Sequence, residues 1–244
     1  MHRFFMAGAS VKNGVILLGG SDAKHIKVLR MQLGDKLTIC DGEGTDLFCR
    51  LSRSGDDFWE ATVEESSPCP AEATVPCRIF AGIPKGERAD YLIQKCTEAG
   101  AQSITFFKSS RCVAVPDGRS LQHKLARWGK IAEEAAKQSG RGIVPEVSYC
   151  GDLAAMFSGA SKSGLTLFMY ETGDRTDIRS ALEGADDISS VSIITGPEGG
   201  FEPYEAQLAT HVGAQLCSMG PRILRCETAP VVALSAVMYH TRNL

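Results

Sequence analysis

Val191-Ser192-Ile193-Ile194-Thr195-Gly196-Pro197-Glu198-Gly199-Gly200-Phe201 reads as an apolar, β-branched strand running directly into a loop of glycine and proline. The arrangement recurs near the C-terminus, where Ala214-Gln215-Leu216-Cys217 precedes Met219-Gly220-Pro221-Arg222-Ile223-Leu224-Arg225-Cys226-Glu227-Thr228-Ala229. Open α/β sheets bind ligands just beyond the C-terminal ends of their strands. The pair of loops therefore predicts a ligand site built largely from backbone, which glycine lets a ligand approach closely. A single Gly-Pro pair is more often only a turn. Two of them, each after a strand, favour a site.

Strands and helices alternate around these loops. Arg78-Ile79-Phe80-Ala81 reads as a strand, followed by Ala89, Leu92, Ile93 and Cys96 at helical spacing, Gly100 in a C-cap position, and the strand Ser103 to Phe107. A longer helix carries Leu121, Leu125, Trp128, Ile131, Ala132 and Ala135 on one face, so Trp128 reads as core. Leu165 to Tyr170 is a further strand. Pro203 to Val212 and Thr228 to His240 read as helices that open with a proline in the first turn. The fold class expected is α/β with a mainly parallel sheet.

The N-terminal part is different. Val15 to Leu18, Lys36 to Cys40, Leu47 to Leu51 and Trp59 to Val63 are short apolar runs separated by turn residues, as in a small β-barrel. Ser66 to Pro76 is rich in Pro, Ser and Ala and reads as a linker. Two domains follow, residues 1–72 and 73–244.

Composition narrows the chemistry. A chain of 244 residues that is 43% hydrophobic and 23% charged can build a sizeable core, and its net charge of −3 confines any RNA-binding face to local patches. Nine cysteines without a C-x-x-C pair argue against a disulfide framework and structural zinc, and no histidine shows ligand spacing, so no metal is expected. No apolar run approaches a membrane span, and a cytoplasmic protein is expected. There is no G-x-x-x-x-G-K-[ST], no strand-following G-x-G-x-x-G, no H-E-x-x-H and no G-x-S-x-G. P-loop, Rossmann, zinc-hydrolase and α/β-hydrolase chemistries lack their fingerprints.

The two loops together resemble the RsmE family, bacterial enzymes that methylate N3 of a uridine in 16S ribosomal RNA. His25-Ile26-Lys27-Val28-Leu29-Arg30, the segment from Lys85-Gly86-Glu87-Arg88 to Lys95-Cys96-Thr97-Glu98-Ala99-Gly100-Ala101, and Arg127-Trp128 with Gln138-Ser139-Gly140-Arg141 are similar to other parts of that family, in order along the chain. Cys226 departs from the pattern, which has threonine between the arginine and the glutamate.

The resemblance implies an N-terminal PUA-like barrel joined to a SPOUT-type domain whose C-terminal segment forms a deep trefoil knot, a topology general rules would reject. It implies S-adenosylmethionine as cofactor, held by Met169, Tyr170 and Glu171, by Thr195, Gly196, Pro197, Gly199 and Gly200, and by Leu216, Ser218, Met219, Gly220 and Leu224. It also implies a homodimer acting on small-subunit ribosomal RNA. Methylating uridine N3 requires loss of its proton, with charge building on the pyrimidine oxygens. Arg225 or Arg222 suits that charge by type, and Glu198 is the candidate proton acceptor or base-orienting group. Positioning alone contributes much to transfer of an activated methyl. Arg3, His25 and Arg30 in the barrel, with Lys85, Arg88 and Arg141, are the RNA-contact candidates. Glu227 reads as structural, favouring the start of the last helix. An RNA-binding module with a vestigial pocket and a SPOUT methyltransferase for another RNA are the alternatives.

Overall fold

A computed structural model describes residues 2–6, 8–113, 118–186 and 188–244. The chain divides into two compact units, Met1–Glu72 with Ala136–Val144, and Ala73–Ala135 with Pro145–Leu244. Residues 136–144 thus go with the first unit, although they lie far beyond the Pro-, Ser- and Ala-rich stretch that marks the boundary in the sequence.

In the first unit β1 (His2–Phe5), β2 (Val15–Gly19), β3 (Lys36–Cys40), β4 (Thr45–Ser54) and β5 (Phe58–Pro68) form a sheet in the order β1-β3-β4-β5-β2. Pairing is antiparallel except between β1 and β3. The expected barrel is thus a five-stranded sheet whose edge strands β1 and β2 share no ladder among the described residues. Alternation buries Ile16 and Leu18 of β2, Leu37 and Ile39 of β3, and Cys49 and Leu51 of β4 in one cluster with Phe4 and Ile26. Ile26 belongs to α1 (Gly20–Val28), a helix where the sequence reading had only a Gly19-Gly20 turn and barrel residues. Gly20, with φ +55, is the helix's first residue, so the strand passes straight into it. β5 also runs on through Ser66 and Ser67, so the linker is shorter than expected.

In the second unit β6 (Cys77–Gly82), β7 (Ser103–Phe107), β8 (Glu146–Tyr149), β9 (Leu165–Met169), β10 (Thr176–Asp177), β11 (Val191–Thr195) and β12 (Gln215–Ser218) form a sheet in the order β10-β12-β9-β11-β6-β7-β8. Every described pairing in it is parallel. The connections include α2 (Arg88–Glu98), α3 (Gly118–Ser139), α4 (Leu153–Ala160), α5 (Ile178–Glu183), α6 (Pro203–His211) and, after β12, α7 (Ala229–His240). All five residues of β11 are buried, as expected of a strand covered on both faces. Phe80 and Ile194 pack with Met156 and Phe157 of α4 and Ala206 and Ala209 of α6. Alternation turns Ile79 and Ile193 to the other face, and α7 packs on β6 and β11 while touching α2 and α5. Trp128 is 1% exposed against Phe106, as a core residue should be. β8, α4, β10 and α5 are short elements without strong periodicity, and the sequence reading passed over them. No described helix is long and apolar enough to cross a membrane.

Candidate functional site

The strands β12, β9 and β11 are neighbours in the sheet and parallel, so the chain leaves all three at the same edge. The segments leaving them surround a cavity of about 390 Å³, within the size range of small-molecule sites. Met169, Tyr170 and Glu171 line it from β9; Thr195, Gly196, Pro197, Glu198 and Gly200 from β11; and Ser218, Met219, Gly220, Arg222, Leu224 and Arg225 from β12 and the segment after it. Residues as far apart in sequence as Met169 and Arg225 thus meet because their strands are adjacent.

Two of the expected cofactor residues stand elsewhere. Gly199 turns toward Arg111, whose Nη1 donates to its carbonyl at 2.8 Å, and a Cβ there would lie 2.9 Å from Arg111 Cβ. Leu216 is half-buried against the apolar cluster of α4 and α6. Neither lines the cavity. Arg88, Arg175, Phe201, Cys226 and Glu227 line it without having been assigned there. Glu227 was visible as a carboxylate ending the loop, whereas Arg88 and Arg175 come from segments that no local pattern ties to the loops.

The backbone of the site has glycine's geometry where it counts. Gly200 has φ +66, and a Cβ on it would sit 2.7 Å from Glu171 Oε1. Gly82, at the end of β6, lets the loop after β11 settle on the sheet, since a Cβ there would meet Pro197 Cδ at 2.5 Å and its nitrogen at 2.6 Å.

Electrostatics separate the polar groups into braced and free ones. Glu198 accepts from the Lys85 N–H at 2.8 Å and from Arg88 Nη1. Burial alone would raise its pKa, but the bonds from the Lys85 and Glu198 N–H groups and the Arg88 guanidinium outweigh that and hold the carboxyl below its ordinary value. These contacts hold the carboxylate toward its charged form, which favours a bracing or base-orienting role for Glu198 over proton uptake. Arg88 also faces Glu227 Oε2 at 3.8 Å. Cys226, where the pattern has threonine, donates from Sγ to Glu227 Oε2 at 3.2 Å. Burial first, then that contact, pushes its thiol up to about 12. Arg222 and Arg225 are exposed at the mouth, and no ion pair holds either guanidinium among the described residues.

Two expected RNA contacts are corrected. Arg141 is 3% exposed and donates to both carboxylate oxygens of Glu72, at 3.2 and 2.7 Å. Arg3 is ion-paired to Asp46 at 2.5 Å and donates to the Arg141 carbonyl at 3.3 Å. Both fasten the first unit internally, because a guanidinium taken from water needs a carboxylate close by. His25, Arg30 and Lys85 are exposed, the first beside Phe4.

The residues present fit S-adenosylmethionine. Thr195 lines the cavity and is 1% exposed, and among the described residues its Oγ1 has no hydrogen-bond partner, so it is a buried polar group that a ligand's hydrogen bond could satisfy. Met169 and Leu224 supply apolar wall, and Glu171 supplies a carboxylate acceptor. Among the described residues no group of three potential metal ligands occurs.

A profile of the RNA methyltransferase domain matches residues 71–238, and one of the RNA methyltransferase PUA domain matches residues 18–64. The chain is 34% identical over 230 residues to ribosomal RNA small subunit methyltransferase E of Bacillus subtilis (92% of this chain, 90% of that protein). It is 31% identical to the protein of that name from Mycobacterium bovis (91% and 86%). Among solved structures, the methyltransferase E of Neisseria gonorrhoeae bound to S-adenosylmethionine superposes with a TM-score of 0.80 at 30% identity (98% of this chain, 97% of that one). A Legionella pneumophila methyltransferase in complex with the same cofactor gives 0.80 at 28% (97% and 96%). With both parts matched and identity above 30% over nearly the whole length, the chain belongs to the ribosomal RNA small subunit methyltransferase E family.

Proposed function

We propose that this protein is an S-adenosylmethionine-dependent methyltransferase that modifies N3 of a uridine in 16S ribosomal RNA of the small subunit. The observation that carries the reading is the cavity itself: three adjacent strand ends, the unpartnered Thr195 Oγ1, and two unpaired arginines at the mouth, in a chain of this family. When bound, the cofactor supplies a methyl group already activated on a sulfonium.

The chain's own residues do the remainder. Thr195 Oγ1 and the backbone of residues 196–200 and 218–220 hold the cofactor, with Tyr170 and Glu171 on the β9 side. Arg225, assisted by Arg222, donates hydrogen bonds to pyrimidine oxygens that gain charge as N3 loses its proton. Glu198 braces Lys85 and Arg88 beside the reacting centre. The first unit, with exposed His25 and Arg30, binds RNA as a PUA-like domain, residues 1–72, and residues 73–244 form the methyltransferase domain. We read the second unit as a SPOUT-type α/β knot, since α7 follows the cofactor-lining segment and packs back on β6 and β11. The enzyme acts in the cytoplasm as a homodimer.

The test is methyl transfer from labelled S-adenosylmethionine to small ribosomal subunits lacking the modification, with nucleoside mass spectrometry. The wild type yields 3-methyluridine and Arg225→Ala yields at least 10²-fold less, on the order of losing one transition-state donor. Cofactor binding without labelled small-subunit RNA would redirect the reading to another RNA. Absence of both would leave a vestigial pocket.

A further inference from the structure

A second cleft adjoins the cofactor cavity, and the two share a wall. The cleft, about 680 Å³ and widely open, is lined by Lys85, Arg88, Tyr91, Glu227 and Thr228 among others, and Arg88 and Glu227 also line the first cavity. Arg88 and Glu227 therefore present surface to both spaces. We propose that the cleft receives the acceptor nucleotide, a uridine whose pairing edge faces Arg88 and Glu227; this rests on the methyl-transfer reading above.

The wall's chemistry selects the base. Arginine only donates hydrogen bonds, and an ionised glutamate only accepts them. Arg88 Nε lies 3.8 Å from Glu227 Oε2, and its contact with Glu198 uses Nη1. A donor beside an acceptor matches the O4 carbonyl and N3–H of uracil. Cytosine presents an amino donor and a bare N3 there, so each group meets its like. Tyr91 follows Arg88 by three residues on α2 and therefore shares its face. It is 48% exposed, a large aromatic surface for a pyrimidine to stack on. Lys85 is exposed at the rim, with its backbone fixed by Glu198, and supplies an ammonium for a flanking phosphate.

Glu227 is then the proton acceptor. The uracil N3–H bond breaks and the proton goes to a Glu227 carboxylate oxygen. The electron pair left on N3 forms the bond to the methyl carbon, whose former bonding pair stays on the donor's sulfur. Carboxylate and sulfonium charges disappear together.

The test begins by locating the uridine that the wild type methylates. A small-subunit RNA fragment carrying 5-bromouridine at that position is then irradiated with the protein without S-adenosylmethionine, and the crosslinked peptide is sequenced. The expected crosslink is at Tyr91; one confined to any other element overturns the assignment. Tyr91→Ala weakens binding of the fragment about 5- to 100-fold, Tyr91→Phe restores it, and replacing the target uridine by cytidine weakens it about 10-fold or more. Glu227→Gln, which keeps an acceptor oxygen but takes up no proton, lowers the single-turnover rate about 10²- to 10⁴-fold with the cofactor Kd within about twofold. Unchanged binding in Tyr91→Ala together with an unchanged rate in Glu227→Gln also overturns it. A wild type that binds the cofactor and methylates no uridine overturns the methyl-transfer reading itself, and the cleft assignment with it, so the two failures are distinguishable.

Discussion

At the scale of single residues the site is defined by what its atoms lack. Among the described residues Thr195 Oγ1 is buried with no partner, a cost of about 1–3 kcal/mol that a ligand hydrogen bond would remove. Thr195→Val keeps the shape and deletes the hydroxyl. It is expected to raise the melting temperature of the free protein while weakening S-adenosylmethionine binding several-fold, measured by calorimetry of both. Gly200 lacks a side chain in a left-handed conformation, φ +66. In Gly200→Ala the methyl meets Glu171 and the backbone is strained by about 1–2 kcal/mol, so cofactor affinity falls at least about tenfold. Glu198 gives a signed pH dependence. Its folded pKa lies below the ordinary 4.5. Its contribution is therefore complete above that value and is lost as the pH falls through the lower folded value. The stability difference between wild type and Glu198→Gln, taken from melts between pH 3 and 7, is expected to be largest near neutrality and to shrink toward the acid end; a difference that grows on acidification contradicts this account.

At the scale of elements, the loop between β11 and α6 is held from outside the site. Arg111 donates from Nε and Nη2 to Glu202, at 2.9 and 3.1 Å, and from Nη1 to the Gly199 carbonyl. Glu205, 0% exposed on α6, accepts from the N–H of Ser110 at 2.9 Å and of Glu202 at 2.7 Å. The stretch after β7 is thereby clipped to the loop after β11. An exposed ion pair contributes little to global stability, about 0.2–1 kcal/mol, but this one fixes a loop whose other side lines the cavity. Arg111→Ala is expected to shift the melt little while raising the KM for S-adenosylmethionine several-fold, with Arg111→Lys recovering only part because it lacks the fork. Equal losses in stability and affinity would show that Arg111 is merely structural.

At the scale of the whole molecule, the two units have separate supports. The Arg141 side chain lies buried in the first unit with Glu72, which also accepts the N–H groups of Gly142 and Ile143 at 2.7 and 2.9 Å. Removing one partner of such a buried pair costs about 3–5 kcal/mol. Glu72→Ala is expected to bring forward the unfolding of the first unit in a denaturant titration. The cavity proposed to hold the cofactor is lined wholly by the second unit, so affinity for S-adenosylmethionine before that transition is expected to stay within about twofold.

The sequence by itself determined the parallel α/β unit, because full burial on both faces leaves continuous apolar runs such as Val191 to Thr195, and it located both loops that line the cavity, because glycine and proline mark close backbone approach locally. The family was legible in those loops for the same reason. Tertiary structure alone decided which charges are free. Arg141, Arg3 and Arg225 look alike as letters, yet two are consumed by Glu72 and Asp46, brought from distant segments, while Arg225 stays open at the cavity. It also turned Gly199 toward Arg111, drew Arg88 and Glu227 to one wall, and set Glu198 against Lys85 and Arg88. Whether a charged group braces, binds or reacts depends on which partner reaches it first, and partners such as Arg88 and Glu198 meet only once the strands between them have stacked into a sheet.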